Sequence, residues 1–504
     1  MYKLHLILKY LRKRRIAWVS LIAVMLCTAM VLVVISVMGG WLRMFRESFH
    51  GLTGDVIIHG QSLSGFPHYQ EIIDALQADN KLVKAAVPTI QTFGLINIAN
   101  AKTMGVQVLG YPIDRIGEVN KFPESLYRQH IRRIEAQEKL KKHGSKLSPD
   151  ERAELQQIAS APAPATRPSF DLPYEPEFYR AMLPNAKMDV ANWTGIIPSS
   201  GVLEIHKDEN GNLVGREPFL YELSAKLTVL GVGPANRLEE SSKRERNYWI
   251  VDDSHTSNWQ YDQNTVYVPF DILQKDLGMD EQQAKDRTTN EPITLPARTS
   301  DIQVKVADEV DLNVARVQIE AIVRPILKQH DYDDSGRLVS VQTWEQGQAT
   351  FLDAVEHELV ILVILFGIIS VVAIFLIFCI FYMIVVEKTR DIGIIKSVGA
   401  TSGGVAAIFL GYGLAIGVVG AGLGLAASYL VVHNINQLHT WMGKALGIRI
   451  WSPETYMFDT IPNTMEPRHV LIIVSAAILA SVLGALVPAI RAARMNPVEA
   501  LRWE

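Results

Sequence analysis

Cysteine is nearly absent from this sequence of 504 residues, which contains only Cys27 and Cys379. Both lie inside long apolar runs, so residues 41–355 contain no cysteine and cannot be joined by disulfide bonds. A domain of this length can bury a hydrophobic core of its own. The fold of this part of the chain must therefore depend on packing.

The sequence also lacks the short motifs of common enzymes. It has no G-x-x-x-x-G-K-[ST] loop for nucleotide phosphates, no H-E-x-x-H, no C-x-x-C and no G-x-S-x-G. His50, His59 and His68 are scattered without metal-ligand spacing. We therefore expect no catalysis, no metal and no cofactor in this chain. Nucleic acid is not expected as a partner, because no basic stripe with interleaved aromatic residues is present.

What the sequence does contain is four long apolar runs without charged side chains. They are Ile16–Met38, Leu359–Val386, Val405–Val432 and Val470–Ile490. A helix needs about 20 mostly apolar residues to cross the hydrocarbon core. We predict an α-helical membrane protein with transmembrane helices at residues 16–40, 356–386, 405–432 and 468–490. The absence of charge inside these helices argues against a transporter coupled to ions or protons.

Basic residues flank these helices mainly on one side of the membrane, and the segments on the other side carry far fewer of them close to the membrane. The flanking residues are Lys9, Arg12, Lys13, Arg14, Arg15, Lys388, Arg390, Lys396, Arg491, Arg494 and Arg502. Because Lys and Arg mark the cytoplasmic side, we predict that residues 1–15, 387–404 and 491–504 are cytoplasmic. Residues 1–15 could form an interfacial helix. Residues 41–355 and 433–467 would lie outside, in a multi-pass protein of the inner (plasma) membrane.

The first apolar run could instead be a cleaved signal peptide. It exceeds the roughly 7–15 apolar residues of such a segment, and no A-x-A-like site follows it. An uncleaved anchor is the better interpretation.

Residues 41–355 are predicted to be a large α+β extracytoplasmic domain between the first two transmembrane helices. Alternating runs predict strands at Asp55–His59, Gly105–Leu109, Lys226–Gly231, Thr265–Val268 and Asp301–Val306. Leu203–Val214 is typical of a hairpin turning at Asn210-Gly211, and helical patterns cover His68–Ala78 and Leu312–Gln329. Residues 124–168 differ, because they are highly charged and end in an Ala/Pro stretch. We predict an inserted helical hairpin there, either without a ligand or docking a partner or acidic head groups.

Two segments of the membrane part have distinctive patterns. Residues 387–404 are too polar to cross the membrane, and Ile392, Ile395 and Val398 are predicted to share one face of a short amphipathic helix that Gly399 ends. This helix could be a simple link or could bind a cytoplasmic partner. In the third transmembrane helix, the pairs Gly413/Gly417 and Gly420/Gly424 permit close helix packing, within one chain or between two.

The order of segments resembles the permease superfamily of MacB and FtsX type. Glu387–Ala400 is similar to the coupling helix of that superfamily, and Val487–Arg502 to its closing signature. The opening Lys9–Arg12, the end Ser36–Trp41 of the first helix, and the segments Tyr456–Pro462 and Ala500–Glu504 resemble the lipoprotein-releasing branch, of LolC/LolE type.

This resemblance implies an ABC transporter permease without its own nucleotide site. A separate ABC ATPase, which binds ATP and Mg²⁺, would contact the coupling helix. A second permease copy or a paralogue would complete the dimer, and the substrate would be a lipoprotein or other periplasmic cargo taken from membrane lipids. The implied coupling residues are Glu387, Lys388, Thr389, Arg390, Asp391, Ile392, Ile395, Lys396 and Gly399.

Two other functions remain open. The chain could be an efflux or mechanotransmission permease that works with a periplasmic adaptor on small molecules or peptides. It could also be an FtsX-like regulator of a periplasmic or cell-wall partner.

Overall fold

The chain forms two compact units in a computed structural model. The model describes residues 15–501 except 79–80, 100–101, 144–147, 161–167, 184–192, 208–212, 216–218, 233–237, 257, 286–291, 334–336 and 447–460. Residues 45–349 form one unit, here called the α/β unit. The other, the helical unit, consists of the segments before Phe45 and after Ala349, apart from 452–459. The predicted interfacial helix and Ala/Pro linker lie outside the described residues.

The first long helix, α1, spans Arg15–Thr53 and precedes the α/β unit in the chain. The helices of the α/β unit are α2 Tyr69–Gln77, α3 Ile113–Ile116, α4 Arg132–His143, α5 Pro149–Ser160, α6 Pro176–Met182, α7 Trp259–Asn264, α8 Phe270–Asp276, α9 Leu312–Gln329 and α10 Trp344–Gly347. Short 3-10 helices cover Phe122–Ser125 and Leu220–Glu222, and a π-helical turn covers Tyr127–Ile131.

The strands of the α/β unit are β1 Val56–Gly60, β2 Phe66–Pro67, β3 Val83–Ile98, β4 Lys102–Tyr111, β5 Thr194–Pro198, β6 His206–Lys207, β7 Leu213–Val214, β8 Ser224–Val232, β9 Leu238–Ile250, β10 Thr265–Pro269, β11 Gln282–Lys285, β12 Pro292–Leu295, β13 Arg298–Thr299, β14 Asp301–Val306 and β15 Val339–Thr343. The mixture of strands and helices agrees with the predicted α+β class. The hairpin is present as the pair β6–β7, whereas its turn, Asn210-Gly211, lies outside the described residues.

The long strand β3 joins two lobes of one sheet. The sheet order is β15-β1-β14-β3-β4-β10-β5-β9-β8, and β8 pairs again with β3. The six strands from β3 to β8 in this order therefore close into a ring. The first half of β3 pairs with β14 and its second half pairs with β4 and β8, which places the four-stranded lobe next to the ring.

Each lobe has its own hydrophobic core. The ring encloses side chains such as Val108, Ile196 and Val266, all fully buried. In the four-stranded lobe, helix α9 buries Ala315, Ile319, Val323 and Leu327 against the sheet. This spacing of four residues is the apolar stripe of an amphipathic helix. The predicted bounds of this helix, Leu312–Gln329, are those observed.

The charged insertion contains two helices, α4 and α5. Ser148 caps α5, since its Oγ accepts the N–H of Glu151 at 3.3 Å while the Glu151 carboxylate accepts the Ser148 N–H at 3.0 Å. This reciprocal pair is a capping box. The chain enters the insertion at Arg128 and Gln129, whose backbone N–H groups donate to the buried Asp252 carboxylate at 2.7 and 3.0 Å.

The helical unit continues with α11 Ala349–Glu387, α12 Thr389–Ser397, α13 Ser402–His433, α14 Ile435–Leu446, α15 Pro467–Arg494 and α16 Pro497–Leu501. Four of the described helices, α1, α11, α13 and α15, are long and apolar enough to cross a membrane. Within this unit, α1 and α11 meet at Trp41 and Phe351, whose ring centroids are 6.0 Å apart. The further apolar residues Phe45 and Phe49 of α1 are almost fully buried, and the Phe49 ring lies 5.9 Å from Tyr261.

Candidate functional site

Two of the predicted packing glycines bring α13 against α15. A Cβ atom at Gly413 would lie 2.6 Å from the Cβ of Ala485, and one at Gly417 would lie 2.9 Å from the Cβ of Ser481. Neither distance leaves room for a methyl group. The two backbones therefore approach as closely as small-residue interfaces allow.

The other two glycines bring α13 against α1. A Cβ atom at Gly420 would lie 2.9 Å from the Cβ of Val24, and one at Gly424 would lie 2.8 Å from the backbone oxygen of Met25. All four glycines thus make close contacts within one chain. Helix α13 is the element against which both α1 and α15 are placed.

The short helix α12, predicted as the coupling helix, is fixed on one side by burial. Ile392 is 3% exposed and packs with Val385, Val405 and Ala492. Thr389 is also buried, and its Oγ1 donates to the Val386 carbonyl at 2.8 Å. These contacts attach α12 to the ends of α11, α13 and α15.

The predicted apolar face of α12 is wrong in part. Ile395 is half-buried, but Val398 is 85% exposed and does not share the buried position of Ile392. The reason is that Ile392, Ile395 and Val398 spread over about 120° of the helix circumference. Packing that buries Ile392 at one edge of this face leaves Val398 exposed at the other edge, although the Val398 N–H still donates to the Ile394 carbonyl at 3.1 Å. Gly399 then takes φ +102°, a left-handed conformation that glycine adopts without steric cost.

The exposed side of α12 carries the residues that a partner could reach. Glu387 ends α11 at the surface, and Arg390 and Ile394 are exposed on the following turns. Lys388 pairs with Asp391. Ile392 cannot belong to this surface because it is buried. Ile394 and Val398 are exposed and can belong to it, although the sequence pattern did not predict them as contact residues.

Lys396 is directed away from this exposed surface. Its Nζ donates to the backbone oxygens of Ala493 at 2.9 Å and Met495 at 2.7 Å. These carbonyls lie at the C-terminal end of α15, where a cation is favoured by the helix dipole and by the unpaired carbonyls. Lys396 therefore connects α12 to the end of the last long helix.

A wide cleft lies beside α12. Its volume is about 980 Å³, and it is lined by Tyr382, Thr389, Arg491, Arg494 and Glu499 among others. The Arg491 guanidinium carbon lies 4.8 Å from the centroid of the Tyr382 ring. This cation–π contact holds Arg491 at the wall of the cleft.

A second cavity lies between the long helices α1, α11 and α15. Its volume is about 350 Å³, within the range of ligand pockets. Most of its lining is aliphatic. The polar lining groups are the hydroxyls of Thr28, Ser370 and Ser481, the Cys27 thiol, which lies 3.9 Å from the Ser370 hydroxyl, and the imidazole of His469 at one end.

Small residues open this cavity. Ala476, Ala477 and Ala480 of α15 and Gly367 of α11 all line it. The run of alanines in α15 is visible in the sequence and could have indicated a cavity. A run of small residues indicates a closely packed helix interface equally well. Only the placement of α1 and α11 shows that a cavity, and not a contact, lies over these positions.

The Thr28 hydroxyl is buried, and among the described residues no hydrogen-bond partner is found for it. The hydroxyl is thus closed off from the cavity, whose mainly aliphatic walls can accommodate hydrocarbon. The geometry defines a multi-pass membrane protein with an apolar cavity among its spanning helices and a short helix exposed at one end.

Comparison with known proteins agrees with this class. Residues 363–497 match the family model described as FtsX-like permease C-terminal. The chain is similar to the lipoprotein-releasing system transmembrane protein LolC of Xylella fastidiosa, with 26% identity over 39% of this chain and 52% of the relative. It is also similar to LolE of Haemophilus influenzae, with 29% identity over 24% of this chain and 29% of the relative.

The chain thus spans about half the length of the LolC relative and less of LolE. Among solved structures, the periplasmic region of MacB from Actinobacillus actinomycetemcomitans matches with 10% identity and a TM-score of 0.25, over 60% of this chain and 93% of that structure. Residues 363–497 form an FtsX-like permease domain. These matches agree with the resemblance to permeases of the MacB/FtsX type, close to LolC and LolE, that the motifs predicted.

Proposed function

We propose that this chain is the permease subunit of an ABC transporter that releases lipoproteins from the outer leaflet of the inner membrane. ATP would be hydrolysed by a separate ATPase, and a second copy or a paralogue of this chain would complete the transporter. The relatives named for lipoprotein release support this proposal.

The proposed topology places both chain ends in the cytoplasm and the α/β unit in the periplasm, between the first two transmembrane helices. The basic residues at Lys388–Lys396 and at Arg491–Arg494 support it, because cytoplasmic loops carry the excess of Lys and Arg. With this orientation, the N-terminal end of α15 faces the periplasm. His469 then lies at the outer end of the cavity.

The observation that carries the proposal is the apolar cavity between α1, α11 and α15. A lipid-anchored protein presents acyl chains that lie in the hydrocarbon of the bilayer, so a site that takes them up has to be apolar and to pack against them as closely as lipid does. The cavity offers aliphatic walls for such chains. A path for a polar substrate would need charged or polar groups along the helices, and the described lining residues are mainly aliphatic.

Energy would enter through the exposed side of α12. We propose that Glu387, Arg390, Asp391 and Ile394 contact the ATPase, with the cleft beside Arg491 receiving a second element of it. Because Ile392 and Lys396 anchor α12 to α13 and α15, force on α12 would be transmitted to the helices around the cavity.

The proposal is tested by filling the cavity. Ala477→Phe places a ring in the cavity, while Leu479→Phe in the same helix replaces a side chain that is 63% exposed. The complex with the cognate ATPase and permease is reconstituted with a lipoprotein, and ATP-dependent release to a soluble acceptor is measured. We expect at least a tenfold loss of release for Ala477→Phe and less than a twofold change for Leu479→Phe.

Basal ATP hydrolysis and assembly serve to show that the Ala477→Phe complex is intact. Equal release by both variants and the unsubstituted protein would contradict the role of the cavity. Stable co-purification with a periplasmic adaptor, without lipoprotein release, would favour the efflux function. A stable complex with a cell-wall hydrolase would favour the regulatory function.

A further inference from the structure

Three potential metal-ligating side chains meet in the four-stranded lobe of the α/β unit. They are His68, which precedes α2, Glu71 in the first turn of α2, and His330, which follows α9. The rings of His68 and His330 stack with centroids 3.6 Å apart and planes inclined by 7°. The Nε2 of His330 lies 2.8 Å from a carboxylate oxygen of Glu71.

The donor atoms have distances that suit a common metal ion. One ligand atom from each of the three residues lies within 4.8 Å of the other two. Two imidazoles and one carboxylate, at about 2.0–2.2 Å from the ion, form a recognised ligand set for Zn²⁺, with a water molecule as fourth ligand. Imidazole nitrogen selects such an ion over Ca²⁺ or Mg²⁺, which prefer oxygen. Because the two rings are stacked and nearly parallel, their nitrogen lone pairs do not point at one ion in this structure, and binding requires at least one imidazole to rotate.

The backbone holds the three residues close together. Ile72 and Ile73, which follow Glu71, and Leu327, three residues before His330, are almost fully buried in the core of the lobe. The start of α2 and the end of α9 are therefore fixed by packing. The three side chains are presented from positions that cannot drift apart without loss of this core.

The backbone of His68 is unusual for a helix-capping residue. It has φ 60° and ψ 21°, a left-handed conformation that is costly for a residue with a Cβ atom, and its side chain makes no capping hydrogen bond. This conformation directs the imidazole over His330 and not toward the helix N-terminus.

We propose that His68, Glu71 and His330 form a site for a divalent transition-metal ion, with Zn²⁺ as the best-matched ion. The ion joins the start of α2 to the end of α9 and so stabilises the four-stranded lobe. This site differs from our expectation from the sequence that no metal binds, and it is independent of the proposed lipoprotein release.

The test uses the full-length protein in detergent. Bound metal is removed with a chelator, the chelator is dialysed away, and Zn²⁺ is titrated in competition with a chromophoric indicator. Because the sequence contains 13 histidines, the site is identified by variants. We expect one site with a Kd of micromolar or lower in the unsubstituted protein, weakened at least tenfold by His330→Gln and by Glu71→Gln.

His59→Gln is the matched control. His59 lies in the same lobe but bonds to Asp301, so this variant should bind Zn²⁺ like the unsubstituted protein. Zn²⁺ should also raise the Tm of the unsubstituted protein and of His59→Gln, but not of His330→Gln. If His330→Gln does not fold, Glu71→Gln, which alters an exposed side chain, decides the question. Equal Zn²⁺ affinity in the unsubstituted protein and Glu71→Gln, or a Kd near millimolar, would overturn the proposal.

Discussion

Gly413 of α13 offers a sharp test of the helix packing, through the substitution Gly413→Ala. The added methyl group would lie 2.6 Å from the Cβ of Ala485 and 3.2 Å from the backbone oxygen of Ser481. Neither neighbour can rotate away, because one is a methyl group and the other is part of the backbone of α15. The helices α13 and α15 must separate to admit it.

The cost of this separation can be estimated. Inserting a methyl group into a closely packed interface costs about 1–3 kcal/mol. For a unit of this size, each kcal/mol shifts the Tm by about 2–4 °C. We therefore expect Gly413→Ala to lower the Tm of the detergent-solubilised protein by about 2–12 °C, followed by tryptophan fluorescence during heating.

Gly422→Ala is the control for Gly413→Ala. Gly422 lies on the same helix, but among the described residues no atom outside the adjacent backbone of α13 lies within 4 Å of the position its Cβ would occupy. Alanine has the higher helix propensity, so this variant should keep or raise the Tm. The double variant Gly413→Ala/Ala485→Gly should recover about 1 kcal/mol or more relative to the sum of the single changes. Equal Tm values for Gly413→Ala and Gly422→Ala would refute the packing at this position.

Three further predictions concern charged groups. Lys396→Met should cost about 1–3 kcal/mol, because it leaves two carbonyls at the end of α15 without their donor, and thermal unfolding measures it. Under the proposed function, Glu387→Lys combined with Arg390→Glu should reduce stimulation of the partner ATPase at least tenfold in a reconstituted complex, because both side chains lie on the exposed side of α12. Burial, together with Asp253, raises the pKa of Asp252 to about 7. The folded state therefore binds the Asp252 proton more tightly than the unfolded state. Protonated Asp252 adds up to about 4 kcal/mol to the free energy of unfolding. This contribution is fully present below about pH 4 and is lost as the pH rises to about 7. Asp252→Asn should remove this part of the dependence of Tm on pH.

Each of these predictions has a control. Arg390→Met changes an exposed side chain of the same helix, α12, and should leave the Tm unchanged; a loss equal to that of Lys396→Met would contradict the assigned contact. The double charge reversal must still purify as a folded permease, and unchanged ATPase stimulation would exclude this surface. Asp74→Asn alters an exposed carboxylate and should keep the pH profile of the unsubstituted protein, whereas an unchanged profile for Asp252→Asn would show that Asp252 does not titrate as described.

Much of the local structure could be predicted from the sequence. Charge-free runs specify long apolar helices because the chain has to satisfy its backbone hydrogen bonds without water. The stripe at Ala315, Ile319, Val323 and Leu327 defined α9 because helical periodicity depends on neighbours in the chain. The pairing of β6 with β7 was predictable for the same reason, since its turn is local.

The buried side of α12 was harder to predict. Ile392 and Val398 are both apolar, and their spacing is compatible with one helical face. Which of the two is buried depends on where α11, α13 and α15 end around α12. Lys396 likewise binds carbonyls about a hundred positions further along the chain. Sequence spacing alone carries no information about such contacts.

What the sequence by itself determined is therefore the set of elements: the four apolar helices, the α+β composition of residues 41–355, and the motifs of an FtsX-like permease. Only the tertiary structure decided which surfaces meet. The cavity between α1, α11 and α15 and the cluster of His68, Glu71 and His330 join residues separated by hundreds of positions. Periodicity describes how one segment packs, whereas a site is created by the approach of several segments, which depends on the packing of the whole chain.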